Sequence, residues 1–215
     1  MRNIIFDECD HKYYIEIPGV TTVLSHSGFS GIPADLEEKN SPMIAQIIKN
    51  NYKTAGEKGT EIHQLTEKMD LGTITPAEAK KHRYYSYLEA WARFRKAYNF
   101  KPYEIELKIY RNDSGLMYCG KLDRVGTIEF SGREYNVLLD IKTCKVGEEG
   151  IKRQLAAYCI AYNVDVLATK KATKTIAVFL NKDGTYLIKN YNNIMTNYNS
   201  FIECLNKYYN DFNLK

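Results

Sequence analysis

Residues 134–143 read EYNVLLDIKT, and the fold turns on that stretch. Val137, Leu138 and Leu139 form the kind of apolar run carried by strands buried on both faces. Asp140 and Lys142 then follow, with Ile141 between them. Side chains alternate along a strand, so Asp140 and Lys142 share one face while Leu139 and Ile141 point to the other. A D-x-K triplet alone is common, and most such pairs are solvent-exposed and worth little. The apolar lead-in sets this one apart, because charges next to a buried run need a partner.

The preceding segment supplies one. Residues 116–130, LMYCGKLDRVGTIEF, are β-rich, and Ser131-Gly132 is a plausible turn pair before EYNVLLDIKT. With that pair as the tip of an antiparallel hairpin, Asp140 lies opposite Asp123. Opposed residues have Cβ atoms about 4.5–5.5 Å apart. Two facing carboxylates repel unless a cation sits between them. A hard divalent ion with oxygen ligands, Mg²⁺ or Mn²⁺, fits the pair. Lys142, one pleat further on, would then offset negative charge on a reacting group, as phosphodiester cleavage requires. Gly120, in GKLD, reads as a strand kink or a point of close approach.

The rest of the chain frames this hairpin. IIFDECDHKYYIEIPGVTTVL reads as one or two short strands, and SPMIAQIIKNNY as a helix opening at Ser41 and Pro42. GTEIHQLTEKMD reads as a second helix capped by Thr60. Thr75 and Pro76 open a third over TPAEAKKHRYYSYLEAWARFRKAYNF, where Tyr84, Tyr87, Leu88, Trp91 and Phe94 recur at helical steps. Its tyrosines, Tyr84, Tyr85 and Tyr87, with Arg83, Arg93 and Arg95, could stack on single-stranded bases. An amphipathic helix that buries aromatics and wets arginines accounts for them more simply. YEIELKIYR alternates; IKRQLAAYCIAYNVDVLA is helical; KTIAVFL and TYLIKNY form a hairpin around Asp183-Gly184; IMTNYNSFIECLNKYY closes as a helix. The expectation is an α/β layered domain with a mixed sheet.

The 215 residues suit one domain with a proper core. With 44% hydrophobic and 26% charged residues the composition is ordinary for a globular chain. A net charge of +4 permits an anionic partner such as nucleic acid without demanding one. No apolar run is long enough to span a bilayer, and the opening MRNIIFDECD has acids where a signal peptide needs apolar residues. No membrane association and a cytoplasmic location are therefore expected. The five cysteines include no C-x-x-C pair, which argues against a disulfide framework or a metal–thiolate site.

GKLD at 120–123, LLDIKT at 138–143, QLAAY at 154–158 and GTEIH at 59–63 together resemble the motif series of the RecB-like, phage-exonuclease branch of the PD-(D/E)XK nuclease superfamily. The mitochondrial genome maintenance exonuclease belongs to a similar group. HKYYIEIPGVTTVL is also similar to the leader of many phage members. The resemblance spans residues 11–160 in the expected order. It implies a restriction-endonuclease-like core, a mixed central sheet flanked by helices in the order αβββαβ. That core would be one nuclease domain over residues 1–215: a mostly helical N-terminal elaboration (1–100), a catalytic sheet core (101–190) and a C-terminal helix (191–215).

By position, the resemblance makes Asp123, Asp140 and Lys142 the catalytic residues, with Asp123 and Asp140 as metal ligands. It adds the Ile141 carbonyl, His63 and Glu106 to the ligand set; strand alternation gives Glu104 the same face as Glu106 and leaves that choice open. Gln154 and Tyr158, four apart on one helix face, and Thr143 would help to position DNA or the catalytic residues. Lys145, Lys152 and Arg153 are candidates for phosphate contacts. Some relatives hold an iron–sulfur cluster, but only Cys159 and Cys204 lie downstream of Q-x-x-x-Y, so none is expected. The implied activity is a Mg²⁺- or Mn²⁺-dependent DNA exonuclease of phage or bacterial recombination, repair or processing, with any annealing or helicase partner on a separate chain. The alternatives are a structure- or sequence-specific endonuclease of the same superfamily and a non-catalytic DNA-binding recombination protein.

Overall fold

A computed structural model describes residues 3–7, 12–17, 20–25, 57–143 and 148–211. The expected helix at Ser41 and the phosphate-contact candidate Lys145 lie outside these residues. Strands β1 (Asn3–Asp7), β2 (Lys12–Ile17) and β3 (Val20–Ser25) form an antiparallel sheet in that order. The opening segment is thus three strands, not one or two.

Helix α1 covers residues 57–70. It is already helical before Thr60, so Thr60 is inside the helix and does not cap it. The expected third helix is two: α2 (Pro76–Lys80) and α3 (Tyr85–Ala97). Thr75 does cap α2, exchanging hydrogen bonds with Glu78 in a capping box, with Pro76 behind it. The break falls where the Tyr84 N–H donates to His82 Nδ1 at 3.2 Å, a local bond that competes with helical pairing. His82 and Arg83 meanwhile pair with Glu61 of α1.

The main sheet has five strands in the order β4 (Lys101–Asp113), β5 (Leu116–Phe130), β6 (Arg133–Lys142), β7 (Lys174–Leu180) and β8 (Tyr186–Asn190). Only β6 and β7 run parallel; their crossover contains α4 (Glu148–Val164). Helix α5 (Ile194–Asp211) ends the described chain. The β5–β6 hairpin turns at Ser131 (φ 51°) and Gly132 (φ 73°), two left-handed residues as a two-residue hairpin loop requires. Its ladder runs from Phe130↔Arg133 to Arg124↔Leu139, the expected register.

Strand β6 is buried on both faces, which accounts for its apolar run. Val137, Leu139 and Ile141 pack with Ile62 of α1 and Trp91 and Phe94 of α3. Leu138 faces the opposite core, built by Leu155 and Tyr158 of α4 and Phe201 and Leu205 of α5. Along α3, Tyr87, Leu88, Trp91 and Phe94 are buried while Arg93 is exposed beside Glu89, the amphipathic arrangement expected. Arg95 is the departure from it, because it turns inward to Asp70 at 3.0 Å.

Candidate metal centre

The β5–β6 ladder stops one pair short of Asp123 and Asp140. Beyond it the Asp123 side chain bridges the strands, its Oδ2 accepting the Ile141 N–H at 2.6 Å. Helix α1 lies across this point. His63 Nδ1 sits 3.4 Å from Asp123 Oδ1, and its Nε2 lies 2.9 Å from the Ile141 carbonyl oxygen. Glu106 completes the cluster: ligand atoms of His63, Glu106 and Asp123 all lie within 4.8 Å of one another.

Glu106 gets there by leaving regular strand geometry. Its φ is +51°, a left-handed value inside β4. For a residue other than glycine this costs on the order of 1–3 kcal/mol and is found where the surroundings enforce it. Its Oε1 meets Arg124 at 2.8 Å and its Oε2 meets Lys121 at 2.7 Å. Glu104 lines a separate groove with Tyr162 and Asp165, so of the two glutamates Glu106 is the one at the centre. Alternation is interrupted in β5 as well. Leu122 packs in the α4–α5 core, whereas Arg124 lies against Asp70 and Trp91 beneath α1 and α3.

Asp140 stands beside this group without being part of it. Its Oδ2 is 2.8 Å from Lys142 Nζ, which also donates to Gln154 Oε1 of α4 at 3.1 Å. The strand therefore does set Asp140 and Lys142 on one face, toward α4. Tyr158 is only 4% exposed, and a Cβ on Gly120 would come within 2.5 Å of its hydroxyl. Tyr158 is thus packed in the α4–α5 core against β5. Thr143 Oγ1 lies against Gly59, and its carbonyl accepts from Lys58 Nζ at 3.2 Å. Lys152 pairs with Glu149 at 2.8 Å, and Arg153 Nε donates to Ser200 Oγ at 2.9 Å.

The electrostatics are those of crowded carboxylates around one imidazole. Burial pushes Asp123 up, but His63, Lys142 and the Ile141 N–H outweigh it and hold its carboxyl at about 2. Burial, together with the Asp123 charge, lifts Asp140 to about 6 despite Lys142. Burial alone would lower His63; Asp123, then Glu106 and Asp140, raise it. Three carboxylates, Asp123, Glu106 and Asp140, thus converge between α1 and the β5–β6 edge, each paired with a basic group: His63, Arg124 with Lys121, and Lys142. Two carboxylates, a carbonyl oxygen and an imidazole there suit a hard divalent cation such as Mg²⁺ or Mn²⁺. Glu106 would have to exchange Lys121 for it.

Residues that sequence patterns did not single out complete the arrangement. Arg124 and Asp70 are fully buried partners, Nε to Oδ2 at 2.6 Å, and Trp91 Nε1 donates to the other Asp70 oxygen at 3.0 Å. The signal for Arg124 was an arginine directly after Asp123, against the two-residue alternation of a β-rich stretch; Asp70, at the end of a polar helix, had none.

The fold and site together define a mixed α/β protein with helices on both faces of a five-stranded sheet and an acid–histidine–lysine cluster at the β5–β6 edge. No family model matches the chain, and no curated protein matches it. A solved structure described as the crystal structure of SSO0001 is similar over 81% of this chain and 70% of that one, at 18% identity and a TM-score of 0.40. A likeness at that level carries no argument. Among the described residues, no helix is long and apolar enough to cross a membrane.

Proposed function

We propose that the protein is a Mg²⁺- or Mn²⁺-dependent deoxyribonuclease of the PD-(D/E)XK type, most simply a DNA exonuclease. The observation that carries this reading is the joint placement of Asp123, His63, Glu106 and the Ile141 carbonyl, with the Lys142 ammonium 2.8 Å from neighbouring Asp140. Asp123, Glu106, His63 and the Ile141 carbonyl would hold the ion, and Asp140 borders it. A bound divalent ion supplies Lewis-acid activation of water and neutralises phosphate charge. Lys142 is oriented by Asp140 and Gln154, so its ammonium can stabilise the extra negative charge of the phosphorus transition state. Asp140, buried beside the centre, keeps its carboxylate on the Lys142 ammonium at 2.8 Å and so aims that charge at the reacting group.

The test is digestion of end-labelled DNA with Mg²⁺ or Mn²⁺. Linear duplex should be degraded from its ends while covalently closed circles survive. Cutting of closed circles would replace the exonuclease with an endonuclease; metal-dependent release of no nucleotide from either would remove the nuclease reading.

A further inference from the structure

Resting on the metal-dependent reading above, we propose that Arg124 is the positioning residue of this centre, setting the mutual spacing of His63, Glu106 and Asp123. Its guanidinium is fully buried and donates to acceptors on three elements. Nε goes to Asp70 Oδ2 of α1 at 2.6 Å. One terminal nitrogen reaches both Glu106 Oε1 of β4 at 2.8 Å and the Asp123 carbonyl oxygen of β5 at 2.7 Å. The other reaches Thr66 Oγ1 at 3.3 Å, and that hydroxyl donates to the His63 carbonyl oxygen at 2.8 Å.

Each of the three ligand residues is therefore held by Arg124, two directly and His63 through Thr66. A guanidinium is a planar fork with fixed donor directions, so its placement dictates where the acceptors sit. Asp70 in turn fixes the fork. It is buried, it neutralises the positive charge, and Trp91 and Arg95 pin its second oxygen. The arrangement also accounts for the left-handed Glu106. Its carboxylate can reach the centre only by breaking strand alternation, and the buried guanidinium stabilises it there. A lysine could supply the charge but not four directed contacts.

The rival view is that Arg124 only neutralises buried Asp70. Metal-free protein titrated with Mn²⁺, with the free ion followed by electron paramagnetic resonance and melts recorded in parallel, separates the two. Arg124→Gln should weaken Mn²⁺ binding roughly 10- to 100-fold, as loss of a group orienting metal ligands does. Thr66→Val keeps side-chain volume and removes the hydroxyl that joins Arg124 to the His63 carbonyl, leaving the Asp70, Glu106 and Asp123 contacts of Arg124 in place; it should weaken binding by about tenfold. Arg111→Met removes a cation from a pair away from the centre, with Asp113 and Tyr198, and should lower the melting temperature with affinity unchanged. Wild-type affinity in folded Arg124→Gln overturns the proposal; if that variant does not fold, wild-type affinity in Thr66→Val does so. An equal loss in Arg111→Met also overturns it, in favour of a general loss of stability. A wild type that takes up no Mn²⁺ removes the metal reading and this proposal together. One that binds Mn²⁺ while Thr66→Val matches it removes this proposal alone.

Discussion

The Asp123 carboxylate accepts the Ile141 backbone N–H at 2.6 Å, while the carbonyl oxygen of Ile141 faces His63 at 2.9 Å. One residue of β6 is thus gripped through both its backbone polar groups, from β5 and from α1. The candidate centre forms where the hairpin ladder ends and side chains take over from backbone pairing.

Asp123→Asn and Lys142→Ala should each reduce DNA cleavage at least about 100-fold, the scale for losing one charge-stabilising group. Asparagine still offers an oxygen to the Ile141 N–H, so the variant should fold, with a lower melting temperature because the carboxylate charge facing His63 and Lys142 is lost. Cleavage at the wild-type rate by either folded variant would reject the assignment of the site.

Divalent metal should stabilise the metal-free protein. Mn²⁺ at about 100 times its dissociation constant should add about 2.7 kcal/mol to unfolding. Asp123→Asn should abolish that gain. Calorimetric melts with and without Mn²⁺ measure both, and an unchanged melting temperature for the wild type would contradict the centre.

Asp70→Asn should be destabilising by about 3 kcal/mol, because it leaves the buried Arg124 guanidinium short of a counter-charge. Urea unfolding provides the measurement. A change within about 0.5 kcal/mol would place Asp70 among ordinary surface residues and contradict its burial.

Gly120→Ala should cost about 1–3 kcal/mol, since the added methyl meets the Tyr158 ring and hydroxyl at 2.5–2.8 Å. Tyr158→Leu in the same chain should recover part of that loss, a non-additivity visible in a double-mutant cycle. Purely additive effects would show that the two residues are not in contact.

The Tyr198 hydroxyl, donating to Asp113 Oδ2 at 2.7 Å, and the nearby Arg111 guanidinium hold the Asp113 carboxyl below its ordinary value. A lowered folded pKa adds stability above the unfolded value of about 3.9, and that stability is lost as pH falls through the folded value. The stability gap between wild type and Asp113→Asn should be level from pH 7 to 5 and close toward pH 3. A gap independent of pH would show that the carboxylate charge contributes nothing.

Much of the framework was legible in the chain. Ser131-Gly132 needs left-handed φ values that a two-residue hairpin turn exploits, and the turn then dictated the Arg124↔Leu139 register. The two-residue period of β6 placed Asp140 and Lys142 on one face, and Thr75 with Pro76 marked the start of α2. Other elements were misjudged for local reasons. The helical period of residues 75–100 continues across a break that His82 makes by taking the Tyr84 N–H. Alternation could not choose between Glu104 and Glu106, because the left-handed φ of Glu106 suspends the alternation itself.

By itself, the sequence determined which segments become the strands of the main sheet, how β5 and β6 pair, and that an acid and a base share a face beside a second acid, since turn chemistry and the two-residue period are local properties. Only the tertiary structure decided that His63 would meet the Ile141 carbonyl across 78 positions of chain, and that Arg124 would reach Asp70 across 54. Those meetings depend on how α1 lies across the sheet. That placement comes from the packing of Ile62, Trp91 and Leu139 in one core, which no local period encodes.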